Sequence, residues 1–243
     1  MRRIVLFVMT LVGGAACVGL GIWQFSRLQE RREANAGAEA ARGMPPVEYA
    51  AAGAAELAPQ RRAVIRGTYD HPNELLLRNR VVRGVPAVLV ITPLRVAGSD
   101  TAILVNRGYV PAPDATVPGA TPFAEPGEVS VTGLVLPIPN RGDGARLTHS
   151  GSGRETWQAL DLDAMRARLP YPIRDLYVIA GDDSAGASHT AEGGAYPIRA
   201  EPPPLGDGPH LMYAVQWFGI ATAVVAFGVF FVLRRRPAST VDS

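Results

Sequence analysis

The stretch Pro209-His210-Leu211-Met212-Tyr213-Ala214-Val215-Gln216-Trp217-Phe218 sets an ionisable ring at the mouth of an apolar run that continues to Leu233. His210, Ala214 and Trp217 stand at i, i+4 and i+7, so a helix would put them on one face with Tyr213 beside them. An imidazole in such a place has two uses. Neutral, it offers a ring nitrogen to an iron porphyrin whose body rests in apolar surroundings. Alternatively, His210, Tyr213 and Trp217 form an interfacial aromatic belt with no chemistry. Spacing alone favours the belt.

The remaining residues with chemical capacity are weaker. His71 lies between Asp70 and Pro72, and His149 and His189 lie in Gly/Ser-rich stretches. None has a second ligand at metal-site spacing, so each reads as a surface or turn histidine. Ser150, Ser152 and Ser184 lack the strand, elbow and helix setting of a hydrolase nucleophile. Asp182-Asp183 reads as a solvated turn. Arg107, in Asn106-Arg107-Gly108-Tyr109 at the end of an apolar strand, could clamp a carboxylate or a propionate. Pairing with an acid at the edge of the core is at least as well supported.

Composition narrows the field. All 24 basic residues among the 243 are arginine, which removes Schiff-base and phosphate-loop lysine chemistry. Residues 28–207 hold 18 Arg and 21 Asp/Glu, a net charge of −3, and the excess arginines flank the apolar runs. That is a membrane pattern and provides no basic face for nucleic acid. The single cysteine, Cys17, permits no intramolecular disulfide and no all-cysteine metal site.

Two elements must position His210. Ile4 to Phe25 is 22 residues without a charge. As a helix it reaches about 33 Å, enough for a hydrocarbon core of roughly 30 Å. Gly14-Ala15-Ala16-Cys17 resembles a lipoprotein signal, but the apolar run continues to Trp23, which favours an uncleaved anchor. Ala15, Gly19 and Trp23 are spaced by four and share a face that another helix could approach. Leu211 to Leu233 is a second uncharged run, of 23 residues, stopped by Arg234-Arg235-Arg236. Two antiparallel spans bring Trp23 and Gln24, at the end of the first, level with His210 at the start of the second. Arg2, Arg3 and the terminal arginines slightly outweigh Arg27, Arg31, Arg32 and Arg199, which favours both tails in the cytoplasm.

Between the spans, Arg27 to Ala34 continues the first helix until Met44-Pro45-Pro46 breaks it. Ala50 to Pro59 reads as a linker. Ala63–Tyr69, Glu74–Val82, Val85–Val96 and Thr101–Val110 read as strands joined by short turns, an antiparallel meander whose third member is bent by Pro86 and Pro93. Glu128–Leu136 and Arg174–Ala180 add two strands. Asp161 can cap a short helix with Leu162, Met165 and Leu169 on one face. Pro111–Gly127, Asn140–Gly153 and Gly181–Gly194 read as loops, and Tyr196–Pro204 as an extended return.

Three motifs then resemble the Surfeit locus protein 1 family of cytochrome oxidase assembly factors. Gly21-Ile22-Trp23-Gln24-Phe25-Ser26-Arg27 is similar to its Gly-x-Trp-Gln-x-x-Arg signature. Thr92-Pro93-Leu94 with Val105-Asn106-Arg107-Gly108-Tyr109-Val110-Pro111 is similar to its central strand motif. His210-x-x-Tyr213-Ala214-x-x-Trp217 is similar to its second-span motif. Each is short, but together they run in order across nearly the whole chain. Gly208-Pro209 departs from the family's Asn-containing lead-in, and Arg31 or Arg32 stands where a lysine is common.

The resemblance implies a non-enzymatic factor in haem-copper oxidase biogenesis that holds or delivers haem a to cytochrome c oxidase subunit 1, with a haem a synthase as a further partner. It implies His210 as axial ligand of the haem iron, with Trp23, Gln24, Arg27, Tyr213 and Trp217 shaping a pocket or a helix contact. A membrane-anchored scaffold that binds an oxidase subunit without haem is the alternative. A third reading, an extracytoplasmic enzyme merely located by its anchors, lacks a catalytic constellation. The expected architecture is an α+β membrane protein of the inner membrane, with two transmembrane helices flanking a periplasmic β-rich domain, antiparallel or barrel-like, with one or two short helices. Its parts are an anchor (1–27), a helical extension and linker (28–60), the β-rich domain (61–207), the second span (208–234) and a cytoplasmic tail (235–243).

Overall fold

The computed structural model describes residues 1–49, 57–112, 125–140, 147–149, 155–181 and 197–234. The chain forms two compact units, Met1–Gly37 with Leu205–Ser243, and Ala38–Pro204. Ser150, Ser152, Ser184, Asp182-Asp183, His189, Arg235, Arg236 and most of the three expected loops lie outside the described residues. His149 falls in a three-residue strand instead of a loop.

Helix α1 (Arg2–Gly43) begins in the first unit, and its last six residues belong to the second. Its end at Gly43, just before Met44-Pro45-Pro46, is where proline chemistry requires it to stop. The helices of the first unit are α1 and α3 (His210–Leu233); the short α2 (Leu162–Arg168) belongs to the second unit. Both α1 and α3 are long and apolar enough to cross a membrane.

The two long helices pack antiparallel on small residues. A Cβ at Gly13 would lie 3.8 Å from Val224, one at Gly14 3.0 Å from Val225, and one at Gly228 2.2 Å from Thr10. The buried positions repeat every seven residues, Gly14 and Gly21 on α1 and Ala214 and Ala221 on α3. This is the seam of two helices crossing at a shallow angle. The face expected for helix approach therefore shifts by one residue. Ala15 is exposed and nothing approaches the Cβ position of Gly19 within 4 Å. A step of one residue turns the helix by about 100°, so Gly14 and Gly21 make the contact that the four-residue spacing assigned to Ala15 and Gly19.

The second unit is a β-barrel with attachments. Its strands are β1 (Val47–Tyr49), β2 (Arg62–Tyr69), β3 (Leu75–Val82), β4 (Val85–Val96), β5 (Ala102–Pro111), β6 (Glu128–Pro137), β7 (Leu147–His149), β8 (Glu155–Trp157) and β9 (Ile173–Ala180). The ladder runs β1-β2-β6-β9-β5-β4-β3-β8-β7, and an extra β2–β4 pairing joins β2, β6, β9, β5 and β4 into a ring. The simple meander holds for β3, β4 and β5; β2 pairs with β6 and β4 instead of β3, and β9 lies parallel to β5. β4 serves two neighbours on one edge, β3 along Val85–Ile91 and β2 along Leu94–Val96. Closure needs a glycine at the seam. A Cβ at Gly67 would lie 2.1 Å from the Arg95 carbonyl oxygen.

Burial follows the two-residue period of the strands. Ile65, Leu94, Ile103, Val105, Val131 and Val178 share one core with residues from every ring strand. On the other face of β5, Ala102 and Leu104 join Leu75, Ile91, Trp157 and α2's Met165 in a second core. Covered on both faces, β5 is buried from Ala102 to Val110, which explains its unbroken apolar run. Asp161 caps α2 as its type dictates, its side chain accepting from the Ala164 N–H at 3.0 Å.

Candidate functional site

At the end of the first span, the Gln24 Oε1 lies 2.9 Å from His210 Nδ1. An amide oxygen can only accept, so it is the Nδ1–H tautomer that makes this hydrogen bond and carries its lone pair on Nε2. Nε2 has no hydrogen-bond partner among the described residues. His210 opens α3, with Pro209 at its N-cap, and Gly208 precedes it with φ +71°. That left-handed backbone suits glycine. A Cβ at Gly208 would sit 3.6 Å from His210 Nε2, so the glycine keeps one approach to that atom clear of side chain.

Other residues brace the same end of the first unit. Arg32 Nε donates to Asp207 Oδ2 at 2.8 Å, and Arg31 Nε donates to the Gly206 carbonyl at 3.2 Å. Both tie the extension of α1 to the lead-in of α3. Gly21 permits close packing lower down, since a Cβ there would come 2.6 Å from the Phe218 ring. Arg27 turns instead to Glu30, at 2.6 Å.

The five residues marked from sequence therefore divide. His210, Gln24 and Trp217 are half-buried on the seam. Trp23 and Tyr213 are 53% and 47% exposed and stand off the seam. The direct link is between Gln24 and His210.

In the second unit, Arg107 resolves into a structural residue. Val90 pairs with Gly108 while Ile91 pairs with Asn106, so Arg107 is the extra residue of a bulge in β5. A bulge re-aims its side chain, and here the guanidinium is only 1% exposed. It donates to Glu74 Oε2 at 3.0 Å and Glu125 Oε1 at 2.7 Å, and stacks 4.7 Å from the Tyr69 ring centroid. Thr92 Oγ1 also donates to Glu74 Oε2, at 2.8 Å. The Arg107 carbonyl, which lies in the bulge, accepts from Arg199 Nη1 at 2.8 Å. His71 belongs to this network through Nε2, which lies 3.2 Å from both the backbone nitrogen and the carbonyl oxygen of Glu125. Burial pushes the Tyr69 phenol far up, with the Arg107 charge opposing it.

So Arg107 meets acids of its own domain, the second of its two sequence readings. Glu74, Glu125, Thr92 and Tyr69 carried no sequence signal for this role. They come from four separate segments, and only the bulge and the barrel closure bring them together. Among the described residues, no three His, Cys, Asp or Glu side chains gather as metal ligands.

Comparison with known proteins covers most of the chain. The SURF1 family model matches residues 11–222. A SURF1-like protein of Monosiga brevicollis is 30% identical over 233 residues, covering 90% of this chain and 83% of that protein. Surfeit locus protein 1 of Takifugu rubripes is 30% identical, covering 86% of this chain and 89% of that protein. A SURF1-like protein of Rickettsia felis is 25% identical, covering 92% and 94% respectively.

Proposed function

The chain belongs to the SURF1 family, and from that membership we propose that it is an assembly factor for haem-copper oxidase which holds haem a at His210 and passes it to the oxidase's catalytic subunit. The family match supports the assembly role. The haem reading is carried by one observation: Gln24 Oε1 lies 2.9 Å from His210 Nδ1, while Nε2 has no hydrogen-bond partner among the described residues. The space that a Cβ at Gly208 would fill lies beside that same atom. Both features fit an imidazole ligand to iron.

One histidine would suffice for this purpose, because a porphyrin brings ligands of its own for the iron and His210 would supply the protein's imidazole. When bound, haem a supplies an iron that accepts the imidazole lone pair. The chain's own residues do the rest. Gln24 holds the ring, α1 and α3 fix its depth, and Trp217 and the small residues Ala214 and Gly21 furnish an apolar flank. In this reading the protein sits in the inner membrane with both termini cytoplasmic and the barrel periplasmic, as the arginine distribution favours. Its partners are cytochrome c oxidase subunit 1 and a haem a synthase.

The test is co-expression with haem a synthesis, followed by the absorption spectrum of the purified protein. A Soret band that disappears in His210→Ala is the expected result. A colourless wild type, from cells demonstrably containing haem a, overturns haem holding and leaves a membrane-anchored scaffold for an oxidase subunit.

A further inference from the structure

Resting on the haem-ligand reading, we propose that Gln24 is a positioning residue: it accepts the Nδ1–H of His210 and so locks the imidazole in the tautomer and rotation that present Nε2 for ligation.

Free imidazole exchanges its proton between two nitrogens and turns about its side-chain bonds. A histidine at the first turn of a helix, half-buried and beside a glycine without a Cβ, has little packing to hold it. A ligand that must be found in the right tautomer each time binds more weakly, because only a fraction of molecules is competent. Ligating histidines meet this problem by donating their other ring nitrogen to a fixed acceptor, which sets the tautomer and makes the lone pair more basic. The 2.9 Å contact from Gln24 Oε1 to His210 Nδ1 is such an acceptor.

Gln24 is itself held in place. It lies on a helix one turn from Gly21, whose missing side chain lets α1 close on Phe218 of α3. Arg31 and Arg32 clip the next turns of α1 to Gly206 and Asp207, just ahead of His210. The acceptor and the ring thus ride on elements joined on both sides of the contact. An alanine or leucine at 24 would leave the helices together and remove only the acceptor.

The experiment has two arms on the full-length protein. In the first, haem-free protein labelled with 15N-histidine is reconstituted in lipid nanodiscs, and the ring nitrogens are read by NMR under conditions where the imidazole is neutral. The His210 signals are those missing from His210→Ala, since the chain has only four histidines. Wild type is expected as the Nδ1–H form. Gln24→Leu is expected to lose that preference, and Gln24→Glu, which keeps an acceptor oxygen, to restore it.

In the second arm the same proteins are titrated with haem a and followed by the Soret band. Gln24→Leu is expected to bind about 10–100-fold more weakly, with Gln24→Glu close to wild type. A wild-type His210 found as the Nε2–H form overturns the proposal whatever haem does. A Soret band of unchanged affinity in Gln24→Leu overturns the positioning role and leaves the haem reading standing. No Soret band in the wild type, with Nδ1–H confirmed, overturns the haem reading and the ligand-positioning role with it.

Discussion

Gln24 and His210 are 186 positions apart in the chain and 2.9 Å apart in space. They meet because two spans of matched length run antiparallel on glycine and alanine, which brings the end of one level with the start of the other. The contact gives the His210 ring a direction.

The helix pairing is testable by cross-linking. With Cys17 replaced by alanine, Gly13→Cys combined with Val224→Cys should form a disulfide on mild oxidation, because a Cβ at Gly13 lies 3.8 Å from the Val224 side chain without a clash. The pair Ala15→Cys with Val224→Cys should not, since Ala15 lies off the seam. Band shifts on non-reducing gels after cleavage in the central domain would separate the two cases. Equal cross-linking by both pairs would contradict the seam.

Arg107 should matter for stability. Removing it leaves Glu74 and Glu125, which are 10% and 13% exposed, without the cation that offsets their burial. Arg107→Leu is expected to cost about 3–5 kcal/mol, seen as a lower melting temperature by circular dichroism. Adding Glu74→Gln and Glu125→Gln should recover part of the loss. The exposed pair of Arg32 and Asp207, at 56% and 43%, should behave differently. Arg32→Ala is expected to change stability by about 0–1 kcal/mol.

Barrel closure should depend on Gly67. A side chain there meets the Arg95 backbone, with its Cβ 2.1 Å from the carbonyl oxygen, and backbone cannot swing aside as a long side chain can. Gly67→Ala is expected to destabilise the barrel by at least about 1–3 kcal/mol. Hydrogen exchange should show the loss first at Gly67–Tyr69 and Leu94–Val96, the residues of the β2–β4 pairing.

Alkaline pH should weaken the central domain. Burial raises the phenol pKa of Tyr69, Tyr171 and Tyr177, and for Tyr171 a hydrogen bond to Asp70 adds to it. Below the ordinary value of 10.0 the phenols are protonated in folded and unfolded chains alike, so the stability they contribute is fully present. Above that value the unfolded chain releases its protons first, and stability falls as pH rises. The chain has no lysine, so tyrosine dominates the titration in this range. The chain has seven tyrosines, so the three are read by difference: the tyrosinate absorbance removed by Tyr69→Phe, Tyr171→Phe or Tyr177→Phe should be absorbance that rises together with loss of the circular dichroism signal, and removal of absorbance that appears well before unfolding would contradict the assignment.

The spans, the stop of α1 before Met44-Pro45-Pro46, the Asp161 cap and six of the strands were legible in the sequence. Each depends on a window of a few to about twenty residues, within which hydrophobic period, proline and capping chemistry act locally. Short β1, β7 and β8 were not legible, because three residues carry too little pattern and owe their conformation to the strand beside them.

Arg107 marks where local reading ends. Its sequence showed a cation at the end of an apolar strand, able to serve a ligand or an acid of the domain. A bulge of one residue turned the side chain inward, and β2, β4 and the residue just ahead of β3 supplied Tyr69, Thr92 and Glu74. The same division holds for the helix pair. The sequence determined that two helices could span a membrane and that Gln24 and His210 would lie at one level. Only the tertiary structure decided that Gly14 and Gly21, and not Ala15 and Gly19, form the seam, and so that Gln24 faces His210. A helix face is set by rotation about its own axis, and only the partner helix fixes that rotation.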